Sequence, residues 1–215
     1  MKPSLLTRLS LSFFLSIAAF SPLAADEGKA PPPQHLKPAT KELIEQLKTG
    51  GHVLIVRHER TNAFIPDTKE VDLNNCATQR NLSIAGHANA VENYRALSFL
   101  QIPIGQVYAS PTCRTLETAR LMFGSVEAHN ALYRYGQDSE QLSADLKELI
   151  RSNTKNAENA VLVTHLGTYA PVFGGHLAEG DAAVFSLVND RPQLQGVIPA
   201  NGWNDAIIDA VLAAQ

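Results

Sequence analysis

Apolar positions along the chain follow two patterns that alternate. From Thr40 the spacing of Leu43, Ile44 and Leu47 is that of an amphipathic helix, capped by Thr40 and stopped by Gly50 and Gly51. His52 to Val56 (HVLIV) is then a short uninterrupted apolar run, which predicts a strand covered on both faces. Residues 59–80 are polar and irregular and predict a long loop, a feature that in compact domains is often functional. Ser83 can cap a second helix over 84–99 that carries Ala88, Val91, Tyr94 and Leu97. Gln106 to Ala109 predicts a brief strand, and a third helix runs from Arg114 to Phe123 and stops at Gly124. Ser139 caps a fourth helix, with Leu142, Leu146, Leu149 and Ile150 at helical spacing. Ala160 to Thr164 (AVLVT) is a second strongly apolar strand, and 167–177 reads as helix. Ala182 to Leu187 and Leu194 to Ile198 predict strands, antiparallel or at an edge, before a terminal helix over 203–213. Strands alternating with helices, without an internal repeat, predict one α/β domain: a three-layer sandwich with a central, mainly parallel sheet flanked by helices.

The start of the chain has a different character. Lys2 and Arg8 precede the apolar stretch 9–20, and small residues end at Ala25 before Asp26. This is the three-part pattern of a secretory signal peptide, assigned to residues 1–25, and about a dozen apolar residues is short for a membrane span. Residues 26–38 are Pro-rich and polar and read as an extended leader, leaving 39–215 as the folded domain. The first 25 residues hold two basic and no acidic side chains, so the chain's 18 basic and 21 acidic residues become 16 and 21, a net charge of -5. That balance gives no support for nucleic-acid binding through bulk electrostatics, and a mean hydropathy of -0.09 excludes a polytopic membrane protein. Export implies a periplasmic or secreted location and an oxidising compartment.

Three segments concentrate chemistry, each at the carboxyl end of a predicted strand: Arg57-His58-Glu59-Arg60-Thr61, then Ser110 to Arg120, then Thr164-His165-Leu166-Gly167. Ligands bind open α/β sheets where strand ends feed into loops. Parallel neighbours would bring two His and two Arg into one pocket. Arg57 and Arg114 offer planar, permanently charged forks for phosphate oxygens, and a His near neutral pH can act as nucleophile or proton donor.

These residues resemble the histidine phosphatase superfamily, in its phosphoglycerate-mutase-like branch. Arg57-His58 is similar to the family's Arg-His-Gly signature. Ser110-Pro111-x-x-Arg114-Thr115-x-Glu117-Thr118-Ala119 matches its second signature, and Val163-x-His165-x-Gly167 resembles its third. The stretch from Cys76 to Gly86, with Gln79-Arg80-Asn81-Leu82-Ser83, is similar to the Leu-Thr-x-x-Gly helix start and, so extended, to exported members. The resemblance runs from about residue 50 to the C-terminus and implies a phosphoglycerate-mutase-like fold. It also implies a phosphatase in which His58 becomes a phosphohistidine while Arg57, Arg114 and His165 hold and stabilise the transferring group. No metal or cofactor is implied, and the partner is a small phosphorylated substrate; the oligomeric state is open. Thr61 matches a Ser/Thr common after the nucleophile and is a candidate phosphate donor. Arg80 is either a substrate-binding group or a solvated loop residue.

Two departures from the family pattern stand out. Glu59 occupies the place of Gly or Ala, so it either crowds the nucleophile or points away. The family's acid position aligns roughly with Tyr133 or Arg134, which leaves Glu59 and Asp138 as candidate acids. A missing acid favours substrates with good leaving groups, such as acyl phosphates, phosphohistidine or sugar 1-phosphates. If the pocket closes, Cys76 and Cys113 can meet in a disulfide tying the long loop to the second motif; the alternative is two separate buried thiols. Glu117 is read as a cap or brace for Arg114, 179–181 as a turn, His52 as structural, His87 and His129 as surface residues, and His176 as lacking a partner at metal-binding spacing. Export argues against a glycolytic mutase. The expected activity is phosphomonoester hydrolysis, with an envelope sugar phosphate such as lipopolysaccharide core heptose phosphate as one substrate and broad-specificity acid phosphatase as another reading. The rival class is a non-catalytic phosphate-binding or envelope-interaction module with the same pocket.

Overall fold

A computed structural model describes residues 38–154 and 157–213. The expected signal segment and residues 26–37 of the leader, including His35, lie outside the described residues. Helix α1 (Pro38–Leu47) starts two residues before Thr40, so Thr40 lies within the helix and does not cap it. A proline suits a first helical turn, because its missing N–H has no intrahelical acceptor there. The chain continues through β1 (Val53–Arg57), a 3₁₀ turn at Cys76–Thr78, α2 (Ile84–Phe99), β2 (Ile104–Ala109) and α3 (Cys113–Phe123). It ends through β3 (Glu127–Ala128), α4 (Ser139–Asn153), β4 (Asn159–Thr164), α5 (Leu166–Phe173), β5 (Ala182–Val188), β6 (Arg191–Ile198) and α6 (Gly202–Ala213).

The six strands form one sheet in the order β3-β2-β4-β1-β5-β6. β1, β2, β3 and β4 pair in parallel, whereas β5 runs antiparallel to β1 and β6 antiparallel to β5. The β5–β6 hairpin turns on Asn189 and Asp190, both at positive φ (51° and 61°). Such a two-residue turn matches the strand twist and favours Asn, Asp or Gly. β3 is only two residues long and escaped the sequence patterns, which need a longer alternation to register.

The central strands are buried on both faces. Leu54 and Val56 of β1 enter one core with Leu47 of α1, Leu97 of α2, Met122 of α3 and Trp203 of α6. Val53 and Ile55 enter the opposite core with Leu146 and Ile150 of α4 and Tyr169 of α5. This two-sided packing is why HVLIV and AVLVT show no polar alternation. Ser83 caps α2, its Oγ accepting from Gly86 N at 3.1 Å. The cap of α4 is Asp138, whose Oδ1 accepts from Glu140 N and Gln141 N at 2.9 Å each; Ser139 is the first helical residue. The α5 helix ends at Phe173, before Gly174 at φ 74°, and so does not reach Leu177. Among the described residues, no helix is long and apolar enough to cross a membrane.

Candidate active site

The parallel register sets the site. Val56 and Ala109 both lie opposite Val163 of β4, so the carboxyl ends of β1, β2 and β4 finish side by side. The residues that follow are His58, Ser110 and His165. Backbone bonds hold them close: His58 N donates to Thr164 O at 3.0 Å and Ser110 N to Val163 O at 2.9 Å. The two imidazoles meet edge to face with centroids 5.3 Å apart and planes at 62°.

His58 is 2% exposed. Its Nδ1 lies 2.9 Å from the Glu59 carbonyl, which can only accept, so Nδ1 carries the proton and Nε2 presents a free lone pair. Burial lowers the pKa of His58 to about 4; the nearby Arg114 and Arg57 guanidinium groups push the same way, against the Glu59 carbonyl and Glu179. His165 is held well below the usual range, first by burial and then by His58, Arg114, Arg57 and Arg80. Its Nε2 lies 3.0 Å from Ser110 Oγ and 3.3 Å from Thr112 Oγ1, which fix the ring. Both rings are therefore neutral at pH 7.

Guanidinium groups surround this pair. Arg57 Nη1 donates to Leu177 O at 2.9 Å. Arg114, second residue of α3, donates from Nη1 to Asp67 Oδ1 at 3.0 Å and to Arg80 O at 3.3 Å. A cavity of about 360 Å³ is lined by Arg57, His58, Arg80, Arg114, Arg134 and His165, with Asp67 as its one carboxylate. The Nε atoms of Arg57, Arg80 and Arg114 are buried with no acceptor among the described residues. Buried donors seek acceptors, and three cationic ones around a neutral imidazole pair suit a tetrahedral oxyanion.

The long loop is anchored to this wall. Cys76 and Cys113 form a disulfide with Cα atoms 5.7 Å apart. The buried Gln79 side chain accepts from Cys113 N at 2.9 Å, and Asp67 Oδ1 accepts from Arg80 N at 2.8 Å. Arg80 therefore reaches the cavity from a tethered segment.

Other candidates fall elsewhere. Asp138 is exposed and spends its carboxylate on the α4 cap, so it is not placed as an acid. Glu59 is fully buried and turned away from the cavity: Oε1 accepts from Asn93 Nδ2 at 3.1 Å and Oε2 from Arg60 N at 3.3 Å. The room comes from Gly180 at φ +87°, where an added Cβ would lie 2.9 Å from Glu59 Oε1. Burial pushes the Glu59 carboxyl above its usual range. Glu59→Ala leaves the buried Asn93 amide without its acceptor and is expected to cost about 1–3 kcal/mol, read by urea unfolding. A weakened phosphate affinity at unchanged stability would instead assign the carboxylate to the pocket. Thr61 does not line the cavity; its Oγ1 donates to Glu179 Oε1 at 2.8 Å. Glu117 pairs with His87 at 2.9 Å between α3 and α2 and does not brace Arg114.

Three residues escaped the sequence reading. Glu179, read as part of a turn, lies 3.7 Å from Arg57 Nη2 and 3.9 Å from His58 Nδ1, the nitrogen that carries the proton. Asp67 has no motif around it in a polar loop. Tyr135 joins the cavity wall next to Arg134. Among the described residues no group of three His, Cys, Asp or Glu side chains is arranged to hold a metal ion.

No family model matches the sequence, and no curated protein matches it. Solved structures do match the fold. A phosphoglycerate mutase from Bacillus anthracis str. Sterne superposes with a TM-score of 0.56 at 11% identity, covering 75% of this chain and 99% of that one. A mutant phosphoserine phosphatase from Entamoeba histolytica in complex with phosphoserine gives 0.53 at 16% identity, over 70% and 98%. The protein histidine phosphatase SixA complexed with tungstate gives 0.51 at 17% identity, over 69% and 97%. The fold is phosphoglycerate-mutase-like: a mixed, mainly parallel six-stranded sheet between layers of helices.

Proposed function

We propose that this chain is a phosphatase that transfers the phosphoryl group of a phosphomonoester to His58 and then to water. The observation that carries the reading is the state of His58: its Nδ1 proton is tied to a backbone carbonyl, and its free Nε2 lies in a wall of guanidinium groups. In the first step the Nε2 lone pair forms a bond to phosphorus, the P–O ester bond breaks, and the ester oxygen leaves with the bonding pair and is protonated by solvent water. In the second, water adds to phosphorus, the P–N bond breaks, and phosphate leaves with the imidazole neutral again. Arg57, Arg114 and His165 orient the group and stabilise the charge spread over its oxygens; phosphoryl transfer depends mainly on such positioning and electrostatics. Arg80 extends the same binding wall. Two similar structures support the reading, one a phosphatase with phosphoserine bound and one a histidine phosphatase holding tungstate, an oxyanion.

The cavity's one carboxylate, Asp67, accepts bonds from Arg114 and from Arg80 N. A carboxylate so engaged does not protonate a leaving group, so aryl and other good leaving groups are favoured over alkyl ones. Export is consistent with an envelope sugar phosphate such as lipopolysaccharide core heptose phosphate, with broad-specificity acid phosphatase as the other reading; a core heptose phosphate is an alkyl phosphate, so its turnover is expected to be slow beside that of aryl phosphates. We place the chain in the periplasm or outside the cell, with residues 1–25 as signal peptide and 26–38 as leader; the disulfide is at home in an oxidising compartment.

The pH profile tests this. A neutral His58 is the competent form, and its lowered pKa keeps it neutral well into acid. After correction for substrate ionisation, kcat/KM on p-nitrophenyl phosphate holds through the ordinary histidine range and falls only toward about pH 4. An acid limb at the ordinary imidazole value would contradict it. No turnover at any pH, with inorganic phosphate still bound, would favour the non-catalytic phosphate-binding module.

A further inference from the structure

The imidazole of His58 changes charge during the reaction proposed above, and one carboxylate outside the cavity is placed to act on that change. In the free protein the ring is neutral, with its proton on Nδ1 and its lone pair on Nε2. When Nε2 bonds to phosphorus it contributes that lone pair, while Nδ1 keeps its proton beside the Glu59 carbonyl. The ring is therefore positively charged in the phosphohistidine. It loses that charge when the P–N bond breaks and the electron pair returns to Nε2. Burial opposes the positive ring, and so do the Arg114 and Arg57 guanidinium groups.

Glu179 acts in the other direction. Its Oε1 lies 3.9 Å from His58 Nδ1, too far for a hydrogen bond but within reach of a strong charge–charge interaction. The same oxygen lies 3.7 Å from Arg57 Nη2 and accepts from Thr61 Oγ1 at 2.8 Å. At the His58 ring the pull of Glu179 exceeds the opposing push of Arg57. The backbone holds this carboxylate in place. Gly180 N, the next residue along, donates to Arg57 O at 3.2 Å and His58 O at 3.1 Å, and Arg57 N donates to Asp181 O at 3.0 Å. Asp181 closes the turn, accepting from Ala178 N at 2.9 Å and from Ala200 N at 3.0 Å. The turn that bears Glu179 is thus clamped to the strand end that bears the nucleophile. Glu179 does not line the cavity, so it acts on the ring and not on the phosphoryl oxygens.

We infer that Glu179 is a positioning residue that stabilises the positive ring of phosphorylated His58 and so lengthens the life of the phosphohistidine. The inference rests on the phosphohistidine route proposed above. A carboxylate beside the Nδ1 proton makes Nε2 more basic, hence a poorer leaving group. Phosphoryl transfer passes through a loose transition state, in which the P–N bond is largely open and the ring nearly neutral. Glu179 therefore stabilises the intermediate more than the transition state on either side of it. Its main kinetic effect falls on hydrolysis of the phosphoenzyme.

Labelling of the protein tests this. Parent and Glu179→Gln are turned over on saturating p-nitrophenyl phosphate carrying radioactive phosphorus. They are then chased with unlabelled substrate and quenched in alkali, where phosphohistidine survives. Glu179→Ala takes the place of the Gln variant if that one does not fold. The expected result is hydrolysis of the labelled variant about tenfold faster than the parent, the effect of removing one opposite charge at this range. The ratio of labelled to unlabelled protein at steady state falls by the same factor, while kcat/KM, which reports phosphorylation, changes far less. Glu179→Asp, which keeps the charge, falls between the two. A loss of structure alone would instead slow phosphorylation and hydrolysis together. Label on His58 that decays in Glu179→Gln at the parent's rate, or more slowly, would overturn the inference and leave the phosphohistidine route standing. A parent that turns over without any label on His58 would overturn both.

Discussion

Replacing His58 with Ala is expected to reduce turnover of p-nitrophenyl phosphate by at least about 10⁴-fold, the scale seen when a covalent nucleophile is deleted. No neighbouring group takes over. His165 is held by Ser110 and Thr112, and the remaining inner groups are permanently charged guanidinium forks. Phosphate affinity is expected to persist in the variant, because removing a neutral imidazole leaves Arg57, Arg80 and Arg114 in place. Steady-state kinetics and calorimetry read the two quantities separately. Residual activity within about tenfold of the parent would mean that water attacks phosphorus directly, and the phosphohistidine route would be abandoned.

Removing the disulfide is the second large effect. Cys76 and Cys113 are separated by 37 positions. Closing a loop of that length restricts the unfolded chain by about 4 kcal/mol in the chain-entropy model. The Cys76→Ser/Cys113→Ser double variant is expected to lose most of that in urea unfolding, and the oxidised parent to lose a similar amount on reduction. The bridge also joins the segment carrying Asp67 and Arg80 to the start of α3, where Arg114 lies. Its loss leaves that link to the Gln79 side chain and the Asp67 contacts, so phosphate binding weakens together with stability. Equal stability of oxidised and reduced protein would contradict the assignment, as would two free thiols in protein recovered from an oxidising compartment.

Much of the architecture could be read along the chain because its signals are local. HVLIV and AVLVT are apolar without alternation because each strand has a helical layer on either side. Ser83 marks the start of α2 because a hydroxyl three residues before a free backbone N–H satisfies it. The errors were local as well: Asp138 caps α4, not its neighbour Ser139, since both can fill the role and the backbone places Asp138 outside the helix.

The site divides the same way. Sequence alone named His58, Arg57, Arg114 and His165, because residues that end parallel strands or begin the next helix are brought together by the sheet itself; Arg80, left open between a substrate-binding and a solvated loop residue, lines the cavity from its tethered segment. Sequence could not give the direction of a side chain that answers to distant partners. Glu59 turns inward because Asn93, 34 positions on, supplies a donor and Gly180, more than a hundred positions on, leaves the space. Thr61 turns to Glu179 for the same kind of reason. Asp67 joins the cavity through contacts with Arg114 and Arg80 N, and Arg134 through its contact with Gly167. Element type and order follow from short-range periodicity and backbone capping. The facing of individual polar groups is a matter of burial and hydrogen bonding between segments far apart in the chain, which only the packed structure decides.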